Sequence, residues 1–120
     1  MSKRILYIED NHQNMRLVRK ILEHQGYTVI EATDGLTGIS MALEQQPDLI
    51  LMDVNLPDID GLEATRRIKL QTNHIPIIAL TANAMFGDEQ RCLAAGCDGY
   101  ISKPVSKALL LDKLLRLLGE

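Results

Sequence analysis

Cysteine is scarce in this chain of 120 residues, with Cys92 and Cys97 as its two examples. His12, His24 and His74 lie far from them in sequence, so neither a zinc site nor a disulfide framework is indicated. Two such thiols read as reduced packing residues. An excess of basic charge is missing as well: 13 Lys and Arg stand against 16 Asp and Glu, a formal charge of −3, which leaves no electrostatic footprint for nucleic acid. No apolar run approaches the roughly 18 residues of a membrane span. The opening Met1-Ser2-Lys3-Arg4 leads into a strand pattern instead of a signal-peptide core. The expectation is a cytoplasmic protein that uses no membrane. Repeats, low-complexity tracts and linkers are also lacking, and the length suits a single domain over residues 1–120.

What is present is a regular alternation. Short apolar runs at residues 5–8, 28–31, 49–52, 77–80 and 100–102 are separated by helical patterns, the signature of βα units around a parallel sheet. The runs are continuous instead of alternating with polar residues, as strands covered by helices on both faces require. Met15, Val18, Ile21 and Leu22 mark the inner face of a first helix that starts near Asn11 and stops at Gly26. Thr33 or Asp34 caps a second helix with Leu36, Ile39, Ala42 and Leu43 turned inward, and a third begins after Asp60. The fourth is expected over residues 84–95. Ser106 caps a fifth helix that carries seven leucines between Leu109 and Leu118. Six of them fill an arc of roughly 160°, wider than the ~100° a surface helix needs, so some are expected to be exposed.

Four of these runs end in chemically pointed side chains. Residues 5–8 run into Glu9 and Asp10, 49–52 into Asp53, 77–80 into Thr81, and 100–102 into Lys103. Parallel strands bring all four endings to one edge, where open α/β sheets bind ligands. Three carboxylates there would repel one another unless a hard cation such as Mg²⁺ joined them. Ten acidic and five basic side chains in residues 1–60, against six and eight in 61–120, concentrate negative charge in the half that holds this pocket. An aspartate so placed is able to act as a nucleophile on phosphorus, with the Thr81 hydroxyl and the Lys103 ammonium holding phosphoryl oxygens. Pro104 restricts Lys103 to extended geometry, and a cis bond there would aim its ammonium into the pocket. This reading requires the Asp53 carboxyl to be open to solvent.

Glu9-Asp10, Asp53 followed by Pro57 and Gly61, Thr81-Ala82 and Lys103-Pro104, in that order, resemble the receiver domains of two-component response regulators along nearly the whole chain. The resemblance implies a flavodoxin-like doubly wound α/β fold, (βα)5, with a five-stranded parallel sheet of order 2-1-3-4-5. By the same resemblance Asp53 is the phosphoacceptor. Glu9 and Asp10 position Mg²⁺ (or Mn²⁺) with the backbone carbonyl of Asn55, and Thr81 and Lys103 sense the phosphoryl group. Tyr100 is the switch aromatic, and Asn55 and Asn83 tune hydrolysis. Glu9 stands where Asp is commoner in the family. The stretch from Thr81 to Val105 looks most like receivers of hybrid kinases or stand-alone phosphorelay regulators.

The implied activity is that of a switch, not a turnover enzyme. A histidine kinase or histidine phosphotransfer protein donates the phosphoryl group. The surface of the fourth helix, last strand and last helix then signals to a downstream protein, with the chain as a monomer or a weak phosphorylation-dependent dimer. With no output domain after Glu120, the message is expected to pass to another protein. Rival readings are a receiver-like scaffold that is never phosphorylated, a haloacid-dehalogenase-type phosphatase, and a flavodoxin-like electron carrier. Asn55 stands where the phosphatase needs a second acid, and Glu9-Asp10 would repel the carrier's flavin phosphate.

Overall fold

The computed structural model describes residues 2–82 and 88–119. The elements alternate strictly: β1 (Arg4–Ile8), α1 (His12–His24), β2 (Thr28–Ala32), α2 (Gly35–Gln45), β3 (Leu49–Asp53), α3 (Gly61–Gln71), β4 (Ile77–Thr81), α4 (Asp88–Ala95), β5 (Gly99–Ser102) and α5 (Lys107–Leu118). The five strands form one parallel sheet in the order β2-β1-β3-β4-β5. The first four residues expected for the fourth helix, 84–87, and Asn83 lie outside the described residues.

Period-two alternation divides the strand side chains between two faces. Ile5, Tyr7, Leu49, Leu51, Ile78 and Leu80 pack with Met15, Val18 and Leu22 of α1 and Leu110 and Leu114 of α5. Leu6, Ile8, Ile50, Met52 and Ile77 meet Ala42 of α2 and Ala64 and Ile68 of α3. Ala79 joins Leu62, Cys92, Ala95 and Cys97 under α4, with Tyr100 at the margin. Every residue of β3 and β4 is buried, which explains why those runs lack alternation. Cys92 and Cys97 are buried and are not joined in a disulfide.

The helices begin where short polar side chains satisfy first-turn amides. Asn11, Asp34, Asp60 and Ser106 accept from the backbone N–H of Asn14, Thr37, Leu62 and Leu109. Asp34, not Thr33, is therefore the cap of α2. Gly26 at φ +93 turns the chain out of α1.

One packing expectation is corrected and another is met. Leu36 is 51% exposed instead of turned inward, because the first turn of α2 is engaged with the β3–α3 loop: Asp58 accepts from the N–H of Gly35 and of Leu36, each at 2.8 Å. In α5 the wide leucine arc is not uniformly inward. Leu110 and Leu114 are fully buried, and Leu109 and Leu115 are exposed. No helix among the described residues is long and apolar enough to cross a membrane.

Candidate functional site

The parallel register builds the site. Ile8 pairs with Met52, Asp53 with Leu80 and Thr81 with Ser102, so Glu9, Asp53, Thr81 and Lys103 stand at the carboxyl edge of four adjacent strands. The backbone N–H of Lys103 donates to the Thr81 carbonyl at 2.7 Å, which ties the last two together. Gly61 allows the closest approach behind the site: a Cβ there would lie 2.1 Å from the Asp53 carbonyl oxygen.

Lys103 Nζ lies 3.0 Å from Glu9 Oε1 and 3.2 Å from Asp53 Oδ1. The Asn55 N–H donates to Asp53 Oδ1 at 3.2 Å, and the Asn11 N–H to Glu9 Oε2 at 3.2 Å. One carboxylate oxygen each from Glu9, Asp10 and Asp53 lies within 4.8 Å of the others. Asp10 is exposed, whereas Glu9 and Thr81 are buried. The Lys103–Pro104 peptide bond is cis.

Electrostatics follow from this crowding. Burial, with the neighbouring Glu9 carboxyl, raises the Asp53 pKa from 3.8 to about 7, against the opposing influence of Lys103 and the Asn55 N–H. Burial also acts upward on Glu9, but its bonds with Asp53, Lys103 and the Asn11 N–H outweigh it and hold Glu9 below the ordinary glutamate value. Burial works against the charge on Lys103, and the two carboxylates more than offset that, so the ammonium is held above its usual pKa. One lysine thus faces two carboxyl groups, with that of Asp10 close by. The surplus negative charge and the all-oxygen donor set fit a hard divalent cation of the Mg²⁺ or Mn²⁺ type.

One requirement, an Asp53 carboxyl open to solvent, is not met. Asp53 is 2% exposed, more enclosed than an open crevice implies. Its carboxyl is nonetheless in contact with charged and polar groups, Lys103 and the Asn55 N–H, and the Lys103 side chain retains 17% exposure. Tyr100 is half-buried against the cluster that includes Cys92 and Cys97.

Two participants escaped sequence reasoning. Asp58 anchors the loop after Asp53 to the start of α2, and the spacing of Asp58 from Gly35 holds no signal for that contact. Tyr7 is fully buried and its hydroxyl donates to Glu9 Oε1 at 3.1 Å. Its position in β1, two residues before the glutamate just past the end of that strand, is a signal that was available.

Comparison with known proteins agrees with this geometry. The model of the response regulator receiver domain family matches residues 5–115. The chain is 44% identical to the polar-differentiation response regulators DivK of Brucella ovis and Brucella suis, over 100% of its own length and 99% of theirs. Among solved structures it is similar to the receiver domain of sensor histidine kinase PA1611 from Pseudomonas aeruginosa PAO1. That structure has a magnesium ion coordinated in its active-site cleft (42% identity, TM-score 0.93, 100% of both chains covered). A CheY-like receiver domain protein from Methanospirillum hungatei JF-1 gives 31% identity and a TM-score of 0.93 over 99% of this chain and 95% of that one. On the family match, the full-length identity and the shared sheet order, this chain belongs to the response regulator receiver domain family of two-component signalling.

Proposed function

We propose that the chain is a phosphorylation-activated switch in which Asp53 accepts a phosphoryl group from a phosphohistidine of a histidine kinase or phosphotransfer protein. The observation that carries this reading is the placement of Lys103 Nζ 3.2 Å from Asp53 Oδ1, beside three carboxylates whose oxygens approach within 4.8 Å. Glu9, Asp10, Asp53 and the Asn55 carbonyl would hold the cation, which when bound neutralises charge between Asp53 and the incoming phosphoryl oxygens. An Asp53 carboxylate oxygen attacks phosphorus, the phosphorus–nitrogen bond breaks, and the electron pair returns to the donor imidazole. Lys103 and the Thr81 hydroxyl hold the transferred oxygens. Later attack by water on phosphorus restores the carboxylate and releases inorganic phosphate, with Asn55 and Asn83 tuning that rate. The catalysis is confined to the chain's own modification.

Signal transmission follows from new bonds at Thr81 and Lys103. Inverting a 1:99 population requires about 5.5 kcal/mol, and hydrogen bonds to charged groups contribute roughly 1.5–3 kcal/mol each. Movement of Thr81 would draw Tyr100 inward and reshape the α4-β5-α5 surface. Leu93, Leu109 and Leu115 on α4 and α5 are exposed there for a downstream protein. A cytoplasmic location and a monomer, or a weak phosphorylation-dependent dimer, belong to the same reading.

The enclosure of Asp53 favours a second reading, a scaffold that binds partners without modification. Incubation with acetyl phosphate and Mg²⁺ followed by intact mass separates the two. A gain of one phosphoryl group, lost in Asp53→Asn, supports the switch; an unchanged mass supports the scaffold.

A further inference from the structure

We infer that the buried hydroxyl of Tyr7 is a positioning group for the phosphorylated state, keeping Glu9 paired when Lys103 turns from Glu9 to the phosphoryl oxygens. The inference rests on the reading of Asp53 as the phosphoacceptor.

Glu9 Oε1 has two donors, Lys103 Nζ at 3.0 Å and the Tyr7 hydroxyl at 3.1 Å. Lys103 also serves Asp53 at 3.2 Å. A phosphoryl group on Asp53 adds oxygens that compete for this one ammonium. Glu9 is only 1% exposed, so water has little access to replace a departing partner; with Lys103 gone its donors are the Asn11 N–H on Oε2 and the Tyr7 hydroxyl on Oε1, and an Oε1 left bare would be costly. The Tyr7 hydroxyl remains on Oε1 after Lys103 has left.

Packing alone does not call for that hydroxyl. The Tyr7 ring lies in an apolar cluster with Met15, Val18 and Leu110, where phenylalanine would fill the same space. The glutamate at position 9 belongs to the same device. An aspartate would be shorter by one carbon–carbon bond, roughly 1.5 Å, and would withdraw its carboxylate from the Tyr7 oxygen. A tyrosine in β1 and the glutamate just past the end of that strand, two residues on, thus form a matched pair.

The test compares the full chain with Y7F, E9D and Y7F/E9D. Calorimetric titration measures Mg²⁺ alone, and then beryllofluoride at saturating Mg²⁺. Y7F is expected to leave Mg²⁺ affinity within about twofold and to weaken beryllofluoride binding by about tenfold, the scale of one hydrogen bond to a charged group. In the E9D background the same Tyr7→Phe change should alter beryllofluoride binding by less than about twofold, because the pair is already broken. An equal loss in both backgrounds, no loss in the Glu9 chain, or a loss confined to Mg²⁺ would overturn the inference. Should Y7F not fold, Tyr7→Met supplies the same comparison with an adaptable apolar side chain. Failure of the unaltered chain to bind beryllofluoride would remove the phosphoacceptor reading and this inference together. Normal binding with an indifferent Y7F removes the inference alone.

Discussion

The two edges of the sheet each hold a lysine that is 17% exposed and bonded to carboxylate, yet they do different work. At the amino edge Lys69 Nζ donates to Asp98 Oδ2 and to the Ile75 carbonyl, both at 2.9 Å, and Asp98 in turn accepts from the Ile77 N–H. One cation meets one anion, the backbone satisfies the rest, and the result is a clasp between α3 and the strands β4 and β5. At the carboxyl edge one lysine faces Glu9 and Asp53, with Asp10 close by. The unbalanced count, not the presence of an ion pair, distinguishes a binding site from a structural contact.

The sharpest break of this comparison is Asp53→Asn, which is expected to abolish phosphoryl uptake from acetyl phosphate while the clasp stays intact; intact mass reads the first and urea unfolding the second. Next in size is Gly61→Ala. Its new methyl would stand 2.1 Å from the Asp53 carbonyl oxygen, so the backbone must shift, with an expected loss of about 3 kcal/mol in urea unfolding and weaker Mg²⁺ binding.

A smaller effect comes from pH. Because the Asp53 pKa is pushed up to about 7, protons compete with the cation below neutrality. Mg²⁺ affinity is expected to fall by about tenfold from pH 8 to pH 6, with proton release on binding near pH 7. In the cation-free chain the folded state binds this proton more tightly than the unfolded chain. The Asp53 contribution to stability therefore declines as pH rises from about 4 through about 7, which thermal unfolding across that range would register. The smallest effect is expected from Lys69→Met: about 1 kcal/mol of stability, because Asp98 is 37% exposed, with Mg²⁺ affinity unchanged. A change in Mg²⁺ affinity there would show that the two edges are coupled.

How much could be read in advance varies by residue. Continuous apolar runs announced β3 and β4, since strands buried on both faces leave no room for alternation. The start of α1 near Asn11 and the Ser106 cap were legible because both cap bonds span three residues of chain. Leu36 was misjudged, as a helical wheel treats the first turn like any other and contains nothing about Asp58, 22 residues away. The openness of Asp53 was misjudged for the same reason: Lys103, which lies against it, arrives from a strand two places across the sheet.

Local chemistry in the chain determined which side chains end the strands, where the helices start, and that one sheet edge would carry carboxylates, a hydroxyl and an ammonium. Period-two and 3.6-residue patterns are short-range, and they are visible in any window of a dozen residues. Only tertiary structure decided that Lys103 bridges Glu9 and Asp53, that Tyr7 stands behind Glu9, and that Lys69 closes on Asp98 instead of a cation. Those outcomes depend on ångström-scale distances between strands and helices packed side by side, and contacts of that kind leave no periodicity behind.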